Sequence, residues 1–207
     1  MKPMIYEKSE VLDKPFVVVS GLPGSGKSSV ARRLADMLNL RLIDKDDILE
    51  HLFELKGVGD EAWRRQLSRE SDLIFQNEAR ASDGAILVSF WHLTGMPADS
   101  GTPTNWLSKL SNRLVNLHCV CPPEVAAARF LRRERHPGHL DSKSSEEEVL
   151  AGLRQIVNLP PLEIRHRVHV DSSLDPDLDS VVGKYPNGLD APRICDVNEL
   201  ESQRSLP

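Results

Sequence analysis

The chain alternates short, continuously apolar runs with longer stretches in which apolar residues recur every three or four positions. The short runs indicate buried strands, and the longer stretches indicate amphipathic helices. The predicted strands cover residues 16–20, 40–43, 85–91, 114–121 and 167–173. The predicted helices cover residues 28–38, 48–53, 60–81, 105–114, 123–136 and 144–157. This alternation implies crossover connections, so it predicts an α/β fold with a three-layer, mostly parallel sheet of about five strands.

Proline, glycine and capping residues mark several boundaries. Pro122 stops the fourth strand and suits the start of the next helix, which Pro137 and Gly138 should end. Ser144 and Glu147 match a capping box for the helix that follows. After residue 173 the periodicity fades. The predicted organisation is an N-terminal extension (1–14), one domain (15–173) and a C-terminal short helix and tail (174–207).

Composition narrows the class of protein. Hydrophobic residues make up 40% of the chain and charged residues 28%, the balance of an ordinary globular domain. The net charge of −5 argues against a nucleic-acid binder, because such domains usually carry a basic excess. No run approaches the ~20 apolar residues of a membrane helix, and residues 1–14 lack the apolar segment of a signal peptide. Three cysteines without a disulfide framework fit a reduced, cytoplasmic setting.

The strongest motif is the loop GLPGSGKS at residues 21–28. It fits G-x-x-x-x-G-K-[ST] between a predicted strand and a predicted helix, which is the context of a phosphate-binding loop. Its glycines let the backbone approach a phosphate, and its N–H groups would form an anion nest. Lys27 would place a cation over the β- and γ-phosphates, and the Ser28 hydroxyl would bind Mg²⁺. The alternative is a glycine-rich turn without a ligand. The predicted nucleotide-binding residues of this loop are Gly21, Leu22, Pro23, Gly24, Ser25, Gly26, Lys27, Ser28 and Ser29.

A second candidate site is the acidic cluster after strand two, where Asp44, Asp46 and Asp47 follow LRLI. Carboxylates at the carboxyl end of a parallel strand lie at the edge where α/β folds bind ligands. One of them could take the proton of a hydroxyl that attacks the γ-phosphate. The alternative is that they only stabilise the positive end of the following helix.

The segment ARFLRRERHPGH carries a third signal. Arg129, Arg132 and Arg133 fall on neighbouring helical faces, and arginine suits the recognition of phosphate oxygens. The alternative is a solvated basic face. His136 and His139 have no acidic or thiol partner at ligand spacing, so we expect loop histidines rather than a metal site.

These segments, in this order, resemble the small P-loop kinases over roughly residues 15–172. That group has a nucleoside-monophosphate-kinase-like P-loop fold with a short lid, and it includes gluconate kinase, chloramphenicol phosphotransferase, zeta-toxin-type kinases and the kinase domain of polynucleotide kinases. The resemblance implies that Asp46 is the catalytic base, with Asp44 in reserve. It also implies a lid at about 129–142, in which Arg129, Arg132 and Arg133 close over the phosphates, and an adenine-facing loop at Asp171 to Leu174.

One feature departs from several members of this group. Strand three ends in VSFWHL, and Ser89 stands where those relatives carry an aspartate. Ser89 cannot supply a carboxylate for Mg²⁺ or its waters. The departure also leaves Trp91 and His92 at the ligand edge, where the tryptophan could either pack in the core or contact a substrate.

The expected function is an ATP- and Mg²⁺-dependent phosphotransferase acting on a hydroxyl of a small metabolite, such as a sugar, nucleoside or antibiotic. Alternatives are a polynucleotide 5′-hydroxyl kinase, which the acidic excess around the aspartates disfavours, and an ATP-binding protein without catalysis. A GTPase switch is disfavoured because no N-K-x-D motif is present. The acceptor and the oligomeric state stay open.

Overall fold

The sheet of this protein has five strands, all parallel, in the order β2-β3-β1-β4-β5. The computed structural model describes residues 14–140 and 145–183. Strand β1 is central, pairing with β3 on one side and β4 on the other. The strands are β1 (Pro15–Gly21), β2 (Arg41–Asp44), β3 (Ala85–Val88), β4 (Arg113–Val120) and β5 (His166–Asp171). The predicted parallel α/β sheet is confirmed.

Six helices connect the strands or follow the last one in the described residues. They are α1 (Lys27–Leu38), α2 (Lys45–Lys56), α3 (Glu61–Ala81), α4 (Pro123–Arg132), α5 (Glu146–Val157) and α6 (Leu178–Gly183). None of these helices is long and apolar enough to cross a membrane. The start of α5 carries a complete capping box between Ser145 and Glu148. The predicted box was one residue too early, and Ser144 itself lies outside the described residues.

Alternate residues of β1 enter two hydrophobic cores. Val17 and Val19 pack with the buried face of α1, and Phe16 and Val18 pack with α3 and the segment after β3. Because side chains alternate across a strand, one continuously apolar run can supply both faces of the sheet. The carboxyl ends of the strands are thereby held between two helical layers.

The segment between β3 and β4 differs from its prediction. Strand β3 ends at Val88, before the predicted end at residue 91, because its pairing with β1 and β2 ends there. Beyond the strand, Trp91 turns inward and its Nε1–H donates to the Val19 carbonyl at 2.9 Å. The predicted helix over 105–114 is only a 3₁₀ turn, Leu107–Lys109. The apolar residues of this segment pack into the hydrophobic core. The next strand begins at Arg113, which pairs with Pro15 of β1.

Helix α4 also ends earlier than predicted. It stops at Arg132, and Arg133 is extended, with φ −77° and ψ 133°. Residues Pro137–His139 form a separate 3₁₀ turn. The predicted break is real, but it begins four residues before Pro137.

Phe75→Ala is expected to lower the free energy of unfolding by about 3–5 kcal/mol, because it opens a cavity in a packed aromatic cluster. Phe75 is fully buried, with ring centroids 5.7 Å from Trp91 and 6.0 Å from Trp106. Urea denaturation measures the change. Leu73→Ala, at a 63% exposed position of the same helix, is the control and should stay within about 0.5 kcal/mol. Equal losses in the two variants would contradict the assigned core.

Candidate active site

The glycine loop joins β1 to α1 and is packed tightly against α4. Gly24 and Gly26 have positive φ angles of 79° and 87°, which an L-residue with a Cβ rarely adopts. A Cβ on Gly24 would lie 2.1 Å from the Ala126 carbonyl oxygen, so no larger residue fits there. The Ser25 N–H donates to the Leu22 carbonyl at 3.0 Å. The Ser25 hydroxyl is buried and has no hydrogen-bond partner among the described residues. The geometry is that of a backbone nest at a helix N-terminus, which suits an anion.

Lys27 places its ammonium group at the centre of this loop. Its Nζ donates to the carbonyl oxygens of Gly21, at 3.1 Å, and Leu22, at 2.8 Å. Burial lowers the pKa of Lys27 to about 8. The loop thus holds the ammonium group against its own backbone carbonyls, and the contact of Lys27 with a phosphate stays a prediction.

Ser28 and Asp44 join the loop to the end of β2. The Ser28 hydroxyl donates to Oδ2 of Asp44 at 2.8 Å, and Oδ1 of Asp44 caps α2 by accepting the Asp46 N–H at 3.0 Å. Burial, with the negative charge of Asp46 beside it, raises the pKa of Asp44 to about 6. Asp44 is therefore a structural cap as well as a carboxylate of the site.

Asp46 lies in the first turn of α2, two residues after Asp44. It is more accessible than Asp44, since its side chain is 52% exposed. Its Oδ2 accepts a hydrogen bond from Arg135. Although the side chain is half-exposed, partial desolvation of its carboxyl group pushes the pKa of Asp46 upward. Arg135 and other positive groups, Lys27 among them, outweigh this effect and hold the pKa below its usual value. Asp46 is thus an ionised carboxylate near the loop.

Asp47 has a different environment. It is exposed on the first turn of α2. Partial desolvation, together with the negative charges of Glu50 and Asp46, raises the pKa of Asp47 against the opposing effect of Arg32 on α1. Asp47 therefore interacts with the positive charge of Arg32 on α1 rather than with Lys27 in the loop. The three aspartates thus lie in three different environments, which the residue pattern alone did not distinguish.

The arginines of α4 occupy different places. Arg129 donates to the carbonyl oxygens of Ser172 and Ser173, both at 2.6 Å, and a Cβ on Gly26 would lie 3.8 Å from its Nη1. It therefore links the glycine loop to the segment after β5. The guanidinium of Arg133 lies 4.5 Å from the centroid of the Phe130 ring. Its positive charge helps to lower the pKa of Lys27. Arg132 is exposed. The phosphate-binding roles of these arginines remain predictions.

Sequence reasoning missed the contact of Arg135 with Asp46. The two residues are 89 positions apart, so no local spacing indicates the pair. His136 and His139 are loop histidines that pack against Phe53. The described residues contain no cluster of three or more side chains suited to holding a metal ion.

The end of β3 is filled by internal contacts. The Ser89 and Thr102 hydroxyls are hydrogen-bonded at 2.5 Å and buried. Trp91 is buried as well, so it packs in the core rather than facing a ligand. His92 bonds through Nδ1 to the Ser100 carbonyl at 2.7 Å. This strand end therefore contributes no carboxylate to the site.

Comparison with known proteins finds one matching family model and several kinases that are similar to this chain. A family model described as an AAA domain matches residues 17–150. The shikimate kinase of Corynebacterium glutamicum is 56% identical over 78 residues, covering 35% of this chain and 43% of the relative. The cytidylate kinase of Ignicoccus hospitalis is 31% identical over 141 residues, covering 64% of this chain and 74% of the relative.

The solved structure of a Chloroflexus aurantiacus protein assigned as a kinase matches with a TM-score of 0.70 at 22% identity, covering 86% of this chain and all of that one. This likeness shows a shared fold. The chain spans only 40% and 43% of the length of two Corynebacterium shikimate kinases that it matches. The family model, however, spans the glycine loop, the aspartates and the arginine segment alike. The chain therefore belongs to the AAA-domain family of P-loop kinases that its motifs predicted.

Proposed function

We propose that this protein transfers the γ-phosphate of ATP to a hydroxyl group of a small metabolite. The observation that carries the proposal is the meeting of a phosphate-binding loop, its lysine and an accessible, ionised aspartate at one edge of the sheet. Lys27 and Asp46 are close enough for each to shift the other's pKa. A nucleotide-binding protein without chemistry would need the loop but not the carboxylate.

The residues present fit ATP with Mg²⁺. The positive-φ glycines and the unpartnered Ser25 hydroxyl suit the phosphates, and Lys27 supplies the cation. The Ser28 hydroxyl and the Asp44 carboxylate, 2.8 Å apart, are oxygen groups of the kind that Mg²⁺ prefers. A bound Mg²⁺ ion would neutralise charge on the phosphates.

In the proposed reaction Asp46 orients the acceptor hydroxyl and receives its proton. A new bond forms between that oxygen and the γ-phosphorus, while the bond from phosphorus to the β,γ-bridging oxygen breaks and ADP leaves. Because the transition state is loose, the base needs correct placement more than high basicity. A low pKa for Asp46 is compatible with this role. Lys27 would stabilise the charge on the transferring group.

The acceptor class follows from charge and from the relatives. Asp46, Asp47 and Glu50 make the start of α2 acidic, which would repel a polynucleotide. The relatives named above are kinases of shikimate and of cytidylate, both small molecules. We therefore favour a small, hydroxyl-bearing metabolite over a nucleic-acid end.

The direct test is ATP turnover with a panel of acceptors. The protein is incubated with ATP, Mg²⁺ and single sugars, nucleosides, hydroxy acids including shikimate, or antibiotic alcohols, and phosphorylated products are sought by mass spectrometry. We expect product with at least one acceptor and far less from the Asp46→Asn variant. Tight ATP binding without any phosphorylated acceptor would instead support a non-catalytic nucleotide-binding protein.

Nucleotide binding is also expected to slow amide hydrogen exchange over residues 128–133. Phosphates bound in the loop would attract Arg129 and Arg133. Because these contacts stabilise the C-terminal end of α4, its backbone hydrogen bonds would open less often and its amides would exchange more slowly. The measurement compares exchange with and without a non-hydrolysable ATP analogue, and residues 72–81 in α3 are the internal control. Unchanged exchange at saturating analogue would argue against a nucleotide-responsive lid.

A further inference from the structure

The lid turn, defined here as residues 135–139, is docked on α2 through contacts of two histidine rings with Phe53. The ring of Phe53 stacks on His136 with centroids 5.2 Å apart and 13° between planes, and it meets His139 edge-on at 5.6 Å. Gly138 lies against the same ring. A Cβ added there would come within 2.5 Å of the Phe53 side chain, which is closer than real Cβ contacts allow. The fit therefore depends on a glycine at position 138.

Two polar contacts extend this docking along α2. Nε2 of His139 and Oε1 of Glu50 are 2.8 Å apart, and the His139 side chain is only 1% exposed. One turn earlier on the same helix, Asp46 accepts the hydrogen bond from Arg135, whose side chain is 14% exposed. The lid turn thus places one of its arginines beside the candidate catalytic carboxylate.

The contacts of the lid turn differ in how far they are buried. An ion pair with a half-exposed partner contributes little to stability, so the contact between Arg135 and Asp46 cannot by itself hold the turn in place. The buried contacts of Phe53, Gly138 and His139 remove apolar surface from water, which is the larger effect. The aromatic docking therefore positions Arg135, and Arg135 in turn holds Asp46.

We propose that Arg135 is a positioning residue for the catalytic carboxylate and that the docked lid turn holds it there. The inference rests on the proposed function, since it takes Asp46 as the base. Arg135 occupies Oδ2 of Asp46 and leaves Oδ1 for the acceptor hydroxyl. A carboxylate on the first turn of a helix can rotate, and the hydrogen bond from Arg135 to Oδ2 favours one of its orientations. A base that is itself oriented by a third group is a recurrent arrangement in catalysis.

The first experiment compares Arg135→Ala and Arg135→Lys with the wild type, using the acceptor found in the panel. We expect Arg135→Ala to lower kcat at least tenfold with the KM for ATP changed less than twofold, and Arg135→Lys to recover part of the rate. Combining Arg135→Ala with Asp46→Asn should cost no more than Asp46→Asn alone, because both act through one group. Arg69→Ala, at an exposed position of α3, is the matched control and should behave as wild type.

The second experiment undocks the turn without touching Arg135. Gly138 does not have a positive φ, so Gly138→Ala introduces mainly the clash with Phe53. We expect faster amide exchange at residues 138–140 and a fall in kcat like that of Arg135→Ala, with ATP affinity retained. Gly152→Ala in α5 is the control, because a Cβ there meets nothing within 4 Å.

The outcomes separate two failures. If the wild type phosphorylates an acceptor and Asp46→Asn is as active, the base assignment is wrong and the positioning role falls with it. If Asp46→Asn is inactive but Arg135→Ala or the undocked Gly138→Ala retains wild-type kcat, only the positioning role is overturned. A higher kcat in Arg135→Ala would also overturn it, since Arg135 would then obstruct the carboxylate. A wild type that phosphorylates no acceptor overturns both proposals.

Discussion

Asp46→Asn is expected to lower the rate of product formation by about 10²–10⁴-fold, the usual contribution of a general base, while ATP affinity stays nearly unchanged. The substitution keeps the size of the side chain and removes its charge. Asp46 is the accessible carboxylate beside the loop lysine, and its backbone N–H, which Asp44 caps, is unaffected. Single-turnover kinetics with the identified acceptor, together with equilibrium binding of ATP, measure the two quantities separately.

Two neighbouring variants test the assignment of Asp46. Asp47→Asn is the control for a general loss of negative charge on α2, and it should retain activity because Asp47 is exposed and interacts with Arg32. Asp44→Asn is expected to weaken the contact with Ser28 and the cap of α2. A large loss of chemistry in Asp44→Asn combined with an active Asp46→Asn would move the base to Asp44.

Lys27→Ala is expected to reduce ATP affinity or turnover more than tenfold with the fold intact. A charge-assisted contact to a phosphate contributes roughly 1.5–3 kcal/mol, and about 1.4 kcal/mol corresponds to a factor of ten. The ammonium group already lies within the loop, bonded to the carbonyls of Gly21 and Leu22. Its removal therefore deletes the cation without displacing other side chains.

The control for Lys27→Ala is Lys109→Ala, at an exposed position after β3. Calorimetric titration with ATP and Mg²⁺ and a thermal unfolding curve are recorded for both variants. Equal ATP affinity in the two variants would mean that the loop binds nucleotide through its backbone alone, or does not bind it. A collapse of the thermal transition in Lys27→Ala would instead assign the lysine a structural role.

The elements with strong local signals were predictable from the sequence. The β-branched run before the glycine loop and the helical spacing after it need no distant partner to be recognised, and both elements form where expected. The helical spacing of Trp106, Leu107 and Leu110 predicts a helix before β4, and this prediction is wrong. They instead fill the core around Phe75, and burial there outweighs local propensity.

The sequence by itself determined the alternation of strands and helices that implies a parallel α/β sheet, the phosphate-binding loop and the set of candidate aspartates, because each of these features depends on residues close together along the chain. Only the tertiary structure decided which aspartate meets Ser28, which meets Arg135, and that Arg129 reaches the carbonyls after β5. These contacts join residues from different strands and helices, and the crossovers that bring them together leave no spacing in the sequence. The docking of the lid turn on Phe53 also joins segments that are distant in sequence, so it too could be seen only in the folded chain.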